Sequence, residues 1–379
     1  MMVQFGIDVL LRERLDLIAG PRVGLISNAM AVTDDLIGSV DALMKTPEVQ
    51  LAALYGPEHG FSGGVHDAMP VDSSTDSHTG LPVYSLYGEH LKPTAEMLEG
   101  IDLLVFDIQS VGVRFYTYMT TLLYTMQAAA TYDLSVVVCD RPNPIGGEIV
   151  EGPVLASGFE SFVGCGPLPV RHGLTIGELA QLFNTAWGVG CDLTVVPCAG
   201  WRRDMWFDDT GLPWVPPSPG IPKLETAIIY PGTCFIEGTN ISEGRGTALP
   251  LEIIGAPWVD PWSLADSLNA LGLAGVRFRP AFFEPTASKW ADEFCAGVQV
   301  HVLDRAVFRP VTMGMNLITT FKSLYGDRFT WQLPHFDHLV GTDRVREQID
   351  ADTPVPEIVS SWQQELVEFA GQRQKVLLY

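Results

Sequence analysis

The sequence has 379 residues, and its 45 acidic residues outnumber its 23 basic ones to give a formal net charge of −22. A surface this negative repels phosphate backbones and anionic lipids, which argues against nucleic-acid and membrane partners. The content of 47% hydrophobic and 18% charged residues is typical of a folded globular protein, and the length favours two domains. A homodimer is compatible with the sequence, which does not itself give an oligomeric state.

The cysteines and the N-terminal segment bear on the compartment. The six cysteines form no C-x-x-C pair, so we predict free thiols rather than a disulfide framework or a zinc site. No apolar run is long enough to span a membrane. The segment MMVQFGIDVLLRERLDLIAG lacks the basic region and the cleavage site of a signal peptide. The sequence as written predicts a cytoplasmic protein, or an exported one if a leader has been removed.

Short β-branched runs alternate with helical patterns in the first part of the chain. One helix is indicated by apolar residues spaced along 115–126, and a second by the capping box that Thr175 and Glu178 form. This alternation is typical of βα units, so we predict an α/β domain with a mostly parallel sheet over residues 1–250. The predicted strands are Arg22–Ser27, Val49–Tyr55, Leu81–Leu86, Ile101–Asp107, Ser135–Cys139 and Asp192–Cys198.

The pattern changes after a Trp- and Pro-rich segment at residues 201–222, which is too irregular for a helix or strand and is typical of a cleft wall. A second set of elements then predicts a smaller α+β domain over residues 251–379. Its predicted elements are a helix at Pro261–Leu271, strands at Val276–Pro280 and Gly297–Leu303, and a helix at Val311–Tyr325.

Polar side chains stand at the carboxyl ends of four predicted strands. Ligands of open α/β sheets bind beyond these ends, so polar groups in register there predict a functional cleft. The residues at these strand ends are Asn28, Glu58, His59, Asp107, Gln109, Arg114, Asp140 and Asn143.

Glu58 is the strongest candidate for an acid/base residue. Pro57 and Gly60 brace its turn, and the apolar strand before it supplies the low-dielectric wall that suits a general acid. The alternative is that Glu58 caps a loop or pairs with an arginine. His59 is either a second acid/base or a structural hydrogen-bonding group.

The segment EGTNISEGRGT concentrates donors and acceptors at Glu237, Asn240, Glu243 and Arg245. These groups suit a sugar that carries hydroxyls, an amide and a carboxylate, which Arg245 would bind bidentately. The alternative is a mobile loop whose side chains bond one another. Farther upstream, Arg171 and His172 either bind an anionic substituent or stand at the start of a helix.

Two other motifs have little support. GFSGG matches the nucleophile elbow around Ser62, but turn-forming residues rather than a helix follow it. The stretch that follows also offers His66, Asp67, Asp72, Asp76 and His78, but their spacing is not typical of a zinc or calcium site. A metal-dependent esterase or deacetylase would need a metal held by His59, His66 and Asp67. The chain also lacks a dinucleotide fingerprint and a P-loop, so we predict neither a cofactor nor a metal.

Several long blocks resemble the NamZ/YbbC family of exo-β-N-acetylmuramidases, among them LYGPEHGFSG, DRPNPIGG, PVRHGLTIGELAQLFN and YPGTCFIEGTNISEGRGT. The resemblance covers nearly the whole chain. It implies a Rossmann-like N-terminal domain with helices on both faces of the sheet, and a smaller C-terminal domain that closes a cleft. The implied activity is cofactor-free release of N-acetylmuramic acid from the non-reducing end of peptidoglycan fragments, as in cell-wall recycling.

The resemblance makes Glu58 the expected catalytic acid, with Glu237 or Glu243 acting at the anomeric carbon. The separation of the two carboxyls decides between retention and inversion, and participation by the substrate's acetamido group stays open. Arg245 and Arg171 are the candidates for binding the lactyl carboxylate. The full set of predicted substrate-binding residues is Asn28, His59, Asp107, Gln109, Arg114, Asp140, Asn143, Arg171, His172, Asn240 and Arg245.

Two other functions stay open at this point. One is a serine- or metal-dependent esterase or deacetylase that acts on cell-wall sugars. The other is a non-catalytic muropeptide-binding protein. Turnover of a muramyl disaccharide distinguishes both from a glycosidase.

Overall fold

A computed structural model describes residues 2–63, Met69 and 72–379. A seven-stranded sheet forms the centre of the N-terminal part. All of its paired strands are parallel except the short β3, which is antiparallel to β4. In spatial order these strands are β3 (Ser74–Thr75), β4 (Pro82–Ser85), β2 (Gln50–Gly56), β1 (Arg22–Ser27), β5 (Leu103–Asp107), β6 (Ser135–Cys139) and β9 (Asp192–Val196).

Helices cover both faces of this sheet, which confirms the predicted α/β architecture. Alternate residues of β5 enter different cores, because successive side chains of a strand point to opposite faces. Leu104 and Phe106 pack in a core that includes residues of α3 (Tyr118–Tyr132) and α4 (Ile176–Thr185). Leu103 and Val105 pack in a second core with residues of α1 (Gly6–Glu13) and α2 (Ser39–Met44).

The predicted capping box begins α4. The Thr175 hydroxyl accepts a hydrogen bond from the amide of Glu178 at 3.2 Å, and the Glu178 carboxylate accepts one from the amide of Thr175 at 3.0 Å. This reciprocal pair satisfies two amides that would otherwise lack partners. By contrast, α3 begins at Tyr118, three residues after the first residue of the predicted apolar stripe. Residues 115–117 are therefore in the turn that leads from the sheet edge into the helix.

The C-terminal part contains an antiparallel three-stranded sheet in the order β10 (Ile253–Ala256), β12 (Cys295–Val302) and β11 (Val276–Phe283). The edge strand β11 extends past Pro280, whose missing amide is tolerated at an edge. The predicted boundary after residue 250 stays a prediction. The remaining elements are β7 (Glu151–Val154), β8 (Pro169–Arg171), α5 (Leu224–Thr233), α6 (Pro261–Ala270), α7 (Pro310–Tyr325), α8 (His335–Val340), α9 (Arg344–Asp350), α10 (Val355–Ser360) and α11 (Gln363–Arg373).

Helices α5 and α7 cross at two glycines. A Cβ atom at Gly232 would lie 1.9 Å from the carbonyl oxygen of Pro310, and one at Gly314 would lie 2.4 Å from the carbonyl oxygen of Gly232. Only glycine permits two backbones to approach this closely. The end of α5 is thereby fixed against α7, and it leads directly into the 3-10 turn Cys234–Gly238.

Two further sequence predictions can be compared with the structure. All six cysteines are free, as predicted. In the part of the chain that the structure describes, no helix has the length and apolar character needed to cross a bilayer.

Candidate active site

A cavity of about 300 Å³ lies beyond the carboxyl end of β2, between the sheet edge and the C-terminal part of the chain. This position agrees with the cleft expected at the carboxyl ends of the strands. Its lining combines carboxylates and cations with many aromatic rings. The lining residues are Glu58, His59, Tyr87, Phe115, Tyr116, Thr117, Tyr118, Phe162, Val163, Ser218, Gly220, Ile221, Tyr230, Cys234, Glu237, Arg245, His335 and Leu339.

Glu58 enters the cavity from the turn after β2. The amide of Gly60 bonds the carbonyl of Pro57 at 3.0 Å, and His59 takes a positive φ of 71°, so the turn is tight. The Thr117 hydroxyl donates a hydrogen bond of 2.6 Å to Oε2 of Glu58. This contact fixes the orientation of a partly exposed carboxyl group, while His59 beside it is buried.

Glu237 stands between the side chains of Arg245 and His335. Nη2 of Arg245 donates to Oε1 of Glu237 at 2.8 Å, and Nε2 of His335 lies 3.7 Å from Oε2. Burial alone would raise the pKa of Glu237, but Arg245 and His335 outweigh it and hold this pKa well below its usual range. Glu237 is therefore an ionised carboxylate in the cavity at neutral pH.

Glu243 lies behind Arg245 and is not among the residues that line the cavity. Its side chain is 2% exposed, and its Oε2 lies 2.8 Å from Nζ of Lys289. Its Oε1 lies 3.7 Å from Nε of Arg245 and accepts a hydrogen bond from Ser288. Of the two glutamates in the EGTNISEGRGT segment, Glu237 faces the cavity and Glu243 supports the arginine.

Tyrosines form much of the inner wall. Nδ2 of Asn28 donates to the hydroxyl of Tyr118 at 3.2 Å, and that hydroxyl donates to the carbonyl of Pro217 at 3.1 Å. Asn28 therefore positions Tyr118 and does not itself line the cavity. Burial raises the pKa of Tyr116 well above its usual value, so its phenol stays neutral. Ser218 and the residues after it line the cavity from the Trp- and Pro-rich segment, which was predicted to wall a cleft.

Other strand-end residues are part of the framework. Asp107 is fully buried and accepts hydrogen bonds from Nε and Nη2 of Arg141 at 2.6 and 2.9 Å. Asp140 accepts from the amide of Gly177 at 2.7 Å, and burial raises its pKa to about 6. The side chains of Gln109 and Asn143 bond main-chain groups, and none of the four predicted residues lines the cavity.

The remaining predicted residues also bond main-chain atoms. Arg114 donates to the carbonyls of residues 153, 168 and 339. Arg171 donates to the carbonyl of Ile145, and its guanidinium lies over the Trp206 ring at 5.4 Å. Burial lowers the pKa of His172 to about 3, so this ring is neutral. The side chain of Asn240 donates to the carbonyl of Arg328 and accepts from the amide of Thr330.

Several cavity residues were not predicted as site residues. The run FYTY was assigned to a core helix, yet its residues 115–118 all line the cavity. Phe162 and His335 come from a loop and a helix start whose sequences carry no motif. Tyr87 lies in the block TGLPVYSLYG, which resembles the family but was not interpreted as part of the site. Their proximity depends on the packing of the two parts of the chain. The proline-rich segment was predicted to wall a cleft, and its Ser218, Gly220 and Ile221 line the cavity.

Of the residues that the rival esterase or deacetylase would use, His59 lines the cavity. Ser62 is exposed in a turn and does not line the cavity. His66 and Asp67 of the predicted alternative metal site lie outside the described residues. Among the residues that are described, no group of three or more His, Cys, Asp or Glu side chains could hold a metal ion.

Comparisons with known proteins cover the whole length of the chain. The family model for the N-terminal domain of the exo-β-N-acetylmuramidase NamZ matches residues 23–225, and the model for its C-terminal domain matches residues 228–379. The chain is 48% identical over 378 residues to the peptidoglycan β-N-acetylmuramidase NamZ of Bacillus subtilis, spanning 100% of this chain and 91% of that protein.

Two crystal structures of DUF1343 family proteins from Bacteroides fragilis are also similar. One has a TM-score of 0.93 at 39% identity, and the other has a TM-score of 0.79 at 30% identity. Each alignment covers 100% of this chain and 99% of the other. The family models, the identity to the Bacillus protein and the resemblance of the GPEHG and EGTNISEGRGT segments agree, and the chain belongs to the NamZ family of exo-β-N-acetylmuramidases.

Proposed function

We propose that this protein hydrolyses the glycosidic bond of a terminal N-acetylmuramic acid at the non-reducing end of peptidoglycan fragments. The observation that carries the proposal is that two carboxylates, Glu58 and Glu237, line one cavity of about 300 Å³. Most glycosidases use a pair of carboxyl groups that lie on either side of the bond to be cleaved. Family membership supports the choice of sugar.

In this proposal Glu58 donates a proton to the glycosidic oxygen. The Thr117 hydroxyl donates to Oε2 of Glu58 and so fixes the orientation of the carboxyl group that carries the transferred proton. The oxygen of the departing sugar receives this proton as its bond to the anomeric carbon breaks. Thr117 thereby acts as a positioning residue for the acid.

Glu237 supplies the negative charge at the anomeric carbon. Because Arg245 and His335 keep it ionised, it suits a nucleophile, a base for an attacking water, or a group that orients the substrate's acetamido nitrogen. Each of these roles stabilises the positive charge that develops on the sugar ring. The configuration of the first product distinguishes inversion from the two routes that retain configuration.

Arg245 is the proposed ligand of the lactyl carboxylate. A guanidinium carries five N–H donors in a fixed plane and binds carboxylates bidentately. In a protein with a net charge of −22, an anionic substrate needs a local cation of this kind. His335, whose side chain is 42% exposed, lies on the other side of Glu237 and also lines the cavity.

The test is incubation with N-acetylmuramyl-β-1,4-N-acetylglucosamine and quantification of both free sugars. We expect equimolar release by the wild-type protein, and a decrease in kcat of about 10²- to 10⁴-fold for Glu58→Gln. Glu225→Gln, an exposed glutamate outside this cavity, is the matched control and should keep full activity. NMR of the freshly released sugar gives its anomeric configuration.

Other outcomes would identify the rival functions. Release of acetate without free muramic sugar indicates a deacetylase. Tight binding of the disaccharide with no turnover indicates a binding protein. Near-normal turnover by Glu58→Gln would remove Glu58 from the mechanism. The cytoplasmic location and the homodimer stay predictions.

A further inference from the structure

The cavity opens between two chemically different sides. Most of its lining residues are buried, and the partly exposed ones mark the opening. One side of the opening carries the ion pair of Glu237 and Arg245, with His335 beside Glu237. The other side carries Tyr87, Phe162 and Val163, with Glu58 also partly exposed. The two sides therefore suit different parts of a substrate.

The aromatic side is built by two segments that are far apart in sequence. The rings of Tyr87 and Phe162 have centroids 5.4 Å apart and planes inclined at 45°. Phe162 is backed in turn by Tyr124 of α3, with centroids 6.4 Å apart. We call Tyr87 and Phe162 the aromatic pair.

Both members of the aromatic pair are held by ordered backbone. Ser161 and Gly164 exchange two main-chain hydrogen bonds of 2.9 and 3.0 Å, so Phe162 stands at the tip of a closed turn. Tyr87 lies just beyond β4, where the amide of Leu86 bonds the carbonyl of Gly56 at 2.8 Å. A surface whose rings are already in place loses little entropy when a ligand binds.

The register of the sheet places this surface beside the acid. Gly56 of β2 is paired with Ser85 of β4, and Glu58 and Tyr87 each follow their paired residue by two positions. Glu58 and Tyr87 therefore follow neighbouring strand ends at the same level of the sheet, and both line the cavity. The group that stands next to the acid in a glycosidase is the leaving sugar, because the acid protonates the oxygen that this sugar keeps.

We infer that the aromatic pair is the binding site for the leaving sugar, an N-acetylhexosamine, while the charged side receives the lactyl group of the terminal sugar. This inference rests on the proposed function. The C–H face of a pyranose carries slight positive charge and packs well on the negative face of an aromatic ring. An acetamido sugar also presents a methyl group that an apolar surface shields from water.

The experiment compares two substrates that differ only in the leaving group. One is the N-acetylmuramyl-N-acetylglucosamine disaccharide, and the other is N-acetylmuramyl β-fluoride, which has no leaving sugar. We expect Phe162→Ala to decrease kcat/KM on the disaccharide by about 3- to 10-fold, with a change below about twofold on the fluoride. Phe162→Leu keeps an apolar side chain without a ring and should give the same selective loss.

Phe282→Ala is the control, because Phe282 is an aromatic residue that is 49% exposed and does not line the cavity. It should leave both substrates unaffected. An equal loss on both substrates, or no loss on either, would overturn the assignment of the aromatic pair while leaving the proposed function intact. If the wild-type protein cleaved neither substrate, the proposed function would be refuted, and the aromatic pair would lose its role with it.

Discussion

Two groups of polar residues at the same edge of the sheet have opposite roles. Asp107 ends the central strand β5 and Asp140 follows β6, and both are fully buried with their oxygens engaged by the protein itself. Glu58 follows β2, lines the cavity and is partly exposed, and Thr117 donates a hydrogen bond to its Oε2. A polar residue at a strand end is therefore a site residue only where the fold leaves room for a ligand beside it.

The strongest test of this comparison removes a framework carboxylate. Asp107→Ala leaves the buried guanidinium of Arg141 without its partner, so the free energy of unfolding should fall by about 3–5 kcal/mol. Urea denaturation measures this loss. The double variant Asp107→Leu/Arg141→Met should recover part of it, because neither charge is then buried alone. A fully folded Asp107→Ala protein that lost catalysis would place Asp107 in the site after all.

A smaller effect is expected for the substitution of Arg245, which lines the cavity. Arg245→Gln removes the proposed lactyl ligand, and a hydrogen-bonded ion pair of this kind contributes about 1.5–3 kcal/mol. The preference for an aryl N-acetylmuramide over the matching N-acetylglucosaminide should therefore decrease by about 10- to 100-fold in kcat/KM. The ratio isolates recognition, since any change in the protonation of Glu237 affects both substrates alike. An unchanged ratio would assign the lactyl group to another residue.

The smallest effect concerns the protonation of Asp140. Because burial raises its folded-state pKa to about 6 from 3.8, the folded protein binds this proton more tightly than the unfolded chain. Its contribution to stability is present at low pH and is lost as the pH rises through 6. Between pH 5 and pH 7 the loss should be about 1 kcal/mol. Urea titrations at both values, on the wild type and Asp140→Asn, measure it, and identical pH dependences would contradict the raised pKa.

The elements of the fold that are specified by residues close together in the sequence were predictable. The strands β1 and β6 and the capping box of α4 were predicted at the positions where they occur, because hydrophobic patterning and capping act over a few residues. Glu58 and Glu237 were predicted as site residues from their glycine- and proline-braced segments. Their position in one cavity was a hypothesis that only the packed structure could examine.

The rest of the site depends on tertiary contacts. Nothing in the sequence near His335 or Phe162 indicates that these residues reach the same cavity from positions more than 170 residues apart. Conversely, Arg171 and Asn143 have the polar character of ligands, and the structure uses them to satisfy main-chain carbonyls. Composition alone does not distinguish a side chain that binds a ligand from one that satisfies the backbone.

The glycine crossing of α5 and α7 has a consequence for anyone who wishes to alter this enzyme. Gly314 does not line the cavity, yet a methyl group there would press on Gly232, five residues before Glu237. Random mutagenesis would therefore recover inactive variants at positions that never meet a substrate. A directed-evolution library should keep both glycines unchanged and vary the residues of the loops around the opening of the cavity.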